Sequence, residues 1–347
     1  MIELRSDTFT LPTPAMVRAM AQAKLGDDVY GEDPTVRELE ELAAGMVGKQ
    51  AACLLPSGTM ANLTSILVHC PRGAKALVGA DSDIYVYEAA GASVCGGVAY
   101  EPLPNQADGT IELADLGRGF PDDPDDPQFA LPALICLEDT QNRCGGAVLS
   151  LAYLAQVRRF AEDRGVALHL DGARLFNAAV ALGVPAARIA GHADSVQFCL
   201  SKGLSAPIGS IVAGTAEFIT GVRRVRKMLG GGMRQAGVIA AAGIVALGHV
   251  DRLAEDHANA RLLADALAEV AGIAIDPGTV RTNIVMFRVV DPRFTVKSFV
   301  DESRARGLSI AELGRGRLRA VTHSGVRSED VTKAVEIISA ILAEGPA

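Results

Sequence analysis

A chain of 347 residues, 49% of them apolar, is long enough to bury a large core, and we expect one large domain followed by a smaller one. A net charge of −8 argues against nucleic acid or an anionic membrane as the main partner. Residues 1–7 lack a basic region followed by an apolar one, and the most apolar run, 236–248, is too short to span a bilayer. We therefore expect a cytoplasmic protein. The six cysteines are scattered, so the sequence predicts no disulfide framework and assigns no metal ligand.

In chain order, the hydrophobic pattern predicts an α/β fold that opens with an extended arm over residues 1–14, where two prolines prevent a helix. Helices are expected over residues 15–23, 35–47, 60–69, 84–90, 236–248, 251–270 and 328–343. Strands are expected over residues 76–79, 134–138, 166–170, 195–200 and 208–213, with one more beginning at 51 and short ones near 280–289. A change to charged amphipathic helices near residue 251 predicts a large domain over 1–250 and a small one over 251–347.

Two buried strands are expected to end in polar residues followed by glycine. The first ends at Asp171 and the second at Ser201-Lys202. A lysine at the end of a buried strand is costly to desolvate unless its amine is used, as Schiff-base chemistry requires. A lysine that extends to solvent is the ordinary alternative. Because a carboxylate nearby can hold a pyridine nitrogen protonated, the pair favours pyridoxal 5′-phosphate (PLP) as cofactor.

Two further stretches are suited to an anion. Ser57-Gly58-Thr59 precedes a helix, where free N–H groups form an anion site, although a plain N-cap is the alternative. Three glycines at 230–232 lead to Arg234 and suit a loop that presents an arginine to an anion. The basic cluster at 223–227 is expected to be a solvated helix face.

Short strings along nearly the whole chain resemble the low-specificity L-threonine aldolases, which belong to the aspartate-aminotransferase-like group of PLP enzymes. The matching strings are residues 4–8, 26–35, 56–60, 171–174, 200–203, 230–235 and 321–323. The resemblance implies a three-layer PLP-dependent transferase-like large domain with a mainly parallel sheet, and a small α+β C-terminal domain. It also implies an amino acid substrate and a homotetramer, a dimer of dimers with shared active sites.

The resemblance implies a role for each matching residue. Lys202 would form the Schiff base, Asp171 would pair with the pyridinium nitrogen, and Arg234 would reach in from a neighbouring subunit. The implied cofactor-binding residues are Ser57, Gly58, Thr59, Asp83, Asp171, Arg174, Ser201, Lys202 and Arg234. The implied substrate-binding residues are Ser6, Tyr30, Tyr87, Gln141, Arg174 and Arg319. Arg319 offers the bidentate geometry that suits a substrate carboxylate.

Two positions depart from the family pattern, and both concern catalysis, which is assigned here to Lys202, Asp83 and Gln141. Asp83 stands where the family usually has a histidine stacked on the cofactor ring. Gln141 stands where a second histidine usually lies near the substrate hydroxyl. Retro-aldol cleavage needs a base for that hydroxyl proton. Gln141 can orient the hydroxyl but cannot take its proton, and an aspartate with its ordinary pKa of about 3.9 is a weak base. A carboxylate here can instead receive a cationic group on the substrate.

Three functions therefore stay open. The first is an aldolase that cleaves or forms a β-hydroxy-α-amino acid, with glycine and an aldehyde as the other side and a substrate that need not be threonine. The second is β-elimination, transaldol transfer or racemisation with the same cofactor. The third is a non-catalytic PLP-binding protein, which the joint presence of Lys202, Asp171 and Arg319 disfavours. His169 and His323 are expected to have structural roles.

Overall fold

The structure, a computed structural model, describes residues 1–345. Its strands are β1 (Ile2–Glu3), β2 (Ala51–Leu55), β3 (Lys75–Gly79), β4 (Ala99–Leu103), β5 (Pro132–Glu138), β6 (Ala167–Asp171), β7 (Ser195–Cys199), β8 (Ser210–Gly214), β9 (Ile273–Ala274), β10 (Ile284–Val289), β11 (Leu308–Ser309), β12 (Ala311–Glu312) and β13 (Leu318–Val321). Its helices are α1 (Pro14–Ala21), α2 (Pro34–Val47), α3 (Gly58–His69), α4 (Asp83–Val86), α5 (Gly91–Gly96), α6 (Leu113–Arg118), α7 (Leu151–Asp163), α8 (Leu175–Leu182), α9 (Ala186–Ala190), α10 (Ala216–Met228), α11 (Gly237–Leu247), α12 (Leu253–Ala268), α13 (Val296–Ala305) and α14 (Ser328–Glu344).

A seven-stranded sheet forms the centre of the molecule, in the order β2-β8-β7-β6-β5-β3-β4. Neighbouring strands from β7 to β4 run parallel, whereas β8 runs antiparallel to both β7 and β2. Apolar residues on both faces explain why helices cover both sides: Leu170 and Phe198 pack in one core, and Ala76 and Cys136 in another. The predicted three-layer α/β architecture with a mainly parallel sheet is confirmed.

A second sheet, in the order β12-β13-β10-β9, is antiparallel and packs with α12, α13 and α14 around Phe299 and Ile338. This is the α+β unit that the sequence predicts at the C-terminal end. The N-terminal arm also joins it, because β1 pairs with β11 and because Ile2 and Leu4 lie in the same core. The division at residue 250 stays a prediction, and it did not include this pairing of the arm.

Two local expectations are wrong. The helix expected over 84–90 stops after one turn, because Ala89 and Ala90 adopt positive φ angles of 53° and 54°. The basic cluster on α10 is not simply a solvated face, because Arg226 is buried in an ion pair with Asp28 (2.8 Å). Arg223 similarly pairs with the buried Glu40.

Over residues 1–345, no single helix is long and apolar enough to cross a bilayer. One pair, Gly237–Leu247 with Val250–Ala268, meets those criteria together but is bent by 55°.

Candidate active site

The carboxyl ends of β6 and β7 and the first turn of α3 surround a cavity of about 270 Å³. This is where ligands bind in open α/β sheets, since polar residues after parallel strands converge at one edge. Eight of the residues predicted for the site line this cavity: Ser57, Gly58, Thr59, Asp83, Tyr87, Asp171, Ser201 and Lys202. The structure therefore brings together residues separated by up to 145 positions in the sequence.

Asp171 is 1% exposed at the end of β6, and its carboxylate accepts three hydrogen bonds. Oδ1 accepts from Gln197 Nε2 and from the Ala173 N–H (3.1 Å), and Oδ2 accepts from Asn62 Nδ2 (2.8 Å). Burial and the charge of Asp83 raise its pKa, while Lys202 and these donors lower it in part. A cation in the cavity would stabilise such a carboxylate, and a pyridinium nitrogen is one.

The first turn of α3 has the properties of a phosphate site. Ser57 caps the helix, its Oγ accepting from the Met60 N–H at 3.2 Å. Over residues 1–345, the N–H groups of Gly58 and Thr59 donate to no other protein group. A Cβ on Gly58 would lie 2.9 Å from Cys199 Sγ, so a glycine is required there. Two N–H groups at a helix start suit a phosphate, and the cavity as a whole fits PLP.

Asp83 begins α4 and is held by two residues, one at the end of β5 and one in the loop that follows it. Its N–H donates to Glu138 Oε2 (2.7 Å), and its Oδ1 accepts from Asn142 Nδ2 (3.1 Å). Asn142 Oδ1 in turn accepts from Arg319 Nη1 at 2.6 Å. Burial, followed by the charges of Asp83 and Asp171, raises the pKa of Glu138 well above its usual range. Asn142 thus connects the two predicted site residues Asp83 and Arg319.

The structure does not bring Gln141 into the cavity. Its Nε2 donates to Asp81 O (2.8 Å), and its Oε1 accepts from the Cys144 N–H (2.7 Å). Both ends of this buried amide are therefore used to bond backbone groups, one in the turn after β3 and one in the loop after β5. The expectation that Gln141 faces a substrate hydroxyl has no support in this placement.

Arg174 likewise lies outside the cavity lining and faces the N-terminal arm. Its Nε and Nη2 donate to Asp7 Oδ2 and Oδ1 at 2.8 and 2.7 Å, and both residues are buried. Burial opposes the charge on Asp7, but Arg174 more than offsets it and holds the pKa of that carboxyl below its usual range. Ser6 caps the short turn that carries Asp7, its Oγ accepting from the Thr8 N–H at 3.2 Å.

Arg319 lies on β13 of the second sheet, next to the arm. Its Nη2 donates to Arg5 O at 2.9 Å, whereas its buried Nε has no protein partner in the part of the chain described. Burial, and then the charge of Arg174, lowers the pKa of Arg319. A carboxylate ligand would supply the missing acceptor.

Two predicted residues lie away from this cavity within one chain. Tyr30 is 76% exposed and lines a separate cavity of about 710 Å³ that includes the ion-paired Arg226. The Arg234 side chain is 54% exposed and pairs with Asp27 at 2.9 Å. Arg234 was expected to act across a subunit contact and Tyr30 to bind substrate, and both stay predictions.

Sequence reasoning missed three residues that line the cavity: Asn62, Glu88 and Gln197. Asn62 and Gln197 both bond Asp171, and burial raises the pKa of Glu88 to about 9. The available signal was a polar side chain within an apolar stretch, on α3 for Asn62 and on β7 for Gln197.

The family model for beta-eliminating lyases matches residues 3–291, and the chain belongs to this family. It is 44% identical over 333 residues to the probable low-specificity L-threonine aldolase 2 of Arabidopsis thaliana, covering 95% of this chain and 94% of that protein. It is 42% identical over 344 residues to the low specificity L-threonine aldolase of Escherichia coli K12, covering 99% and 100%. A solved structure of Leishmania major threonine aldolase superposes with a TM-score of 0.81 at 18% identity, covering 99% of this chain and 100% of that one. The resemblance, the fold class and the prediction of an enzyme of the lyase class are confirmed.

Proposed function

We propose that this chain is a PLP-dependent aldolase that cleaves or forms a β-hydroxy-α-amino acid, with glycine and an aldehyde as the other side. The observation that supports it most directly is that Lys202 and Asp171 open into one cavity whose wall is the first turn of α3. Membership of a family whose relatives are threonine aldolases supports the same reaction. Lys202 Nζ is the amine that attaches the cofactor.

Bound PLP supplies the electron sink for the Cα–Cβ bond that breaks. Asp171 holds the proton on the ring nitrogen, and the N–H groups of Gly58 and Thr59 bind the phosphate. Arg319, whose buried Nε lacks an acceptor within residues 1–345, binds the substrate carboxylate. The same functions would be needed for any amino acid substrate of this cavity.

In this proposal, Asp83 determines which substrate side chain the cavity prefers. Its carboxylate lies in the cavity lining, accepts from Asn142, and is backed by the buried Glu138. A β-substituent that carries a cationic group would neutralise this acidic cluster, whereas the methyl group of threonine would not. We therefore infer a preferred substrate with a basic side chain at Cβ.

β-Elimination is the second candidate, because the family model is that of the beta-eliminating lyases and because Gln141 is turned away from the cavity. In that reaction the β-hydroxyl leaves as water and the amino group is released as ammonia, so a keto acid forms instead of glycine. Transaldol transfer and racemisation use the same cavity, and their products differ again.

Product analysis tests these alternatives. Purified holoenzyme is incubated with β-hydroxy-α-amino acids whose β-substituents are methyl, phenyl or aminoalkyl, and glycine, aldehyde and keto acid are measured. We expect glycine and aldehyde, with the highest kcat/KM on the aminoalkyl substrate. Asp83→Asn should lower kcat/KM about tenfold or more for that substrate and much less for the neutral ones. Absence of glycine from every substrate would refute the aldolase assignment, and an equal loss on all substrates would refute the role of Asp83.

We also propose a cytoplasmic homotetramer in which Arg234 and Tyr30 complete a neighbouring subunit's site, with no nucleic acid or membrane partner. The exposure of both side chains in one chain supports this arrangement. Sedimentation should give a tetramer, and Arg234→Ala should weaken PLP binding. A fully active monomer would refute it.

A further inference from the structure

Asn62 on α3 donates to two carboxyl groups at once. Its Nδ2 lies 2.8 Å from Asp171 Oδ2 and 2.8 Å from Glu88 Oε1. An ionised carboxylate only accepts hydrogen bonds, so Asp171 requires the NH2 group of this amide rather than its carbonyl. The carbonyl must therefore point the other way, and it lies 3.1 Å from His169 Nε2. That nitrogen is then the protonated one.

The direction of this bond decides the next two. With its proton on Nε2, a neutral His169 accepts at Nδ1, where the Ser195 hydroxyl lies at 2.8 Å. Ser195 Oγ then accepts in turn from His69 Nε2, also at 2.8 Å. All hydrogen bonds in the series His69, Ser195, His169, Asn62 thus point toward Asp171, and we call this series the histidine chain.

The His169 imidazole has to be neutral for the histidine chain to exist, because its Nδ1 accepts from Ser195 and a charged ring has no acceptor nitrogen. Burial, followed by the neighbouring His69, lowers the pKa of His169 to about 3. Burial lowers the pKa of His69 to about 4, against an opposing effect of Asp194. Neither ring is charged near neutral pH.

The two carboxyl groups that share Asn62 differ in their surroundings. Asp171 has two further donors, Gln197 Nε2 and the Ala173 N–H. Within residues 1–345, the side-chain carboxyl of Glu88 accepts from one donor, Asn62 Nδ2. Three hydrogen-bond donors stabilise the ionised form of the Asp171 carboxyl, whereas the Glu88 carboxyl has one. Asp171 is therefore the ionised member of the pair, and Glu88 is the neutral one.

We propose that the histidine chain holds Asn62 in this orientation and thereby keeps Asp171 anionic and aligned for the cofactor's ring nitrogen, with His169 and Ser195 as positioning residues. An amide does not pass protons along, so the histidine chain fixes an orientation and does not conduct protons to the cavity. This inference rests on the proposed cofactor and not on the aldol reaction.

The test compares His169→Leu with His169→Gln in the holoenzyme, since glutamine retains an N–H for Asn62 and leucine does not. Ser195→Ala removes the donor to His169 with a smaller change in packing. Ser65→Ala is the matched control, because it deletes an equally buried hydroxyl of α3 that bonds only within its helix. Two quantities are measured: the affinity for PLP by equilibrium dialysis, and the visible absorption of the bound cofactor as a function of pH.

His169→Leu should weaken PLP binding about tenfold to a hundredfold and shift the pH midpoint of the absorption. His169→Gln should recover most of both, Ser195→Ala should shift the midpoint in the same direction, and Ser65→Ala should change neither. A wild-type midpoint and affinity in His169→Leu, or equal losses in the leucine and glutamine variants, would overturn the inference while leaving the proposed function intact. Failure of the wild-type chain to bind PLP would overturn both.

Discussion

Replacing Asp7 by alanine should be among the most destabilising single changes outside the cavity. The substitution leaves the Arg174 guanidinium buried without its partner, after a bidentate pair with contacts of 2.7 and 2.8 Å. Removing one member of a buried ion pair costs about 3–5 kcal/mol. Asn283 Nδ2, which donates to Asp7 at 3.2 Å, keeps its bond to Thr322 O (3.1 Å), so the isolated guanidinium accounts for most of the expected loss.

Urea unfolding followed by far-ultraviolet circular dichroism measures this loss, since the chain has no tryptophan. Asp301→Ala is the control, because its exposed pair with Lys297 should contribute less than about 1 kcal/mol. The double variant Asp7→Ala with Arg174→Met should lose less than Asp7→Ala alone, since no charge is then left isolated. A loss below about 1 kcal/mol for Asp7→Ala would refute this account of the pair.

The same pair predicts a dependence on pH. Arg174 holds the pKa of Asp7 below its unfolded value, so the pair stabilises the fold above the unfolded pKa, and this contribution is lost as the pH falls through the folded one. The difference in stability between the wild type and Asp7→Ala should therefore be constant near neutral pH and shrink in strong acid. A difference that grows on acidification would contradict this sign.

Three further changes have definite expected results. Lys202→Ala should abolish the visible absorption of the bound cofactor, and persistence of that band would exclude this lysine as the attachment site. Burial raises the pKa of Asp139 to about 8, so its contribution to stability is lost as the pH rises through that value, and Asp139→Asn should lose less stability than the wild type between pH 6 and 9 in urea unfolding. Arg226→Met leaves Asp28 as an unpaired buried charge and should lower stability by about 3–5 kcal/mol in the same assay, whereas a loss under 1 kcal/mol would indicate that water reaches Asp28.

The residues that sequence reasoning placed correctly share one property, which is their position at the end of an element. Asp171 ends β6, Lys202 follows β7, and Ser57 precedes α3. The ends of parallel strands meet at one edge of a sheet, so recognising the strands was enough to predict that these residues meet. The polar residue type then indicated the chemistry.

The contacts of two other predicted residues depend on partners far away in the sequence. Arg174 meets Asp7 across 167 positions, and Arg319 meets Asn142 across 177. No local sequence pattern predicts such a pair, because its geometry depends on how the arm and the second sheet pack. Gln141 was placed from the family pattern alone, and its contacts with the backbone of Asp81 and Cys144 were not considered.

The arm over residues 1–14 joins the parts of the site that lie in different sheets. Leu4 O accepts from the Val321 N–H (2.8 Å), and Arg5 O accepts from Arg319 (2.9 Å), so one end of the arm is fixed to β13. Further along, the Thr10 hydroxyl donates to Lys202 O at 2.9 Å. The arm therefore helps to set the distance between the proposed carboxylate-binding arginine and the cofactor-attaching lysine, together with the direct bond from Arg319 to Asn142. A change in how the second sheet packs would move the end of the arm that is bonded to β13 and leave the end at Lys202 in place, so substitutions in the small core are expected to alter KM for the substrate before they alter binding of PLP.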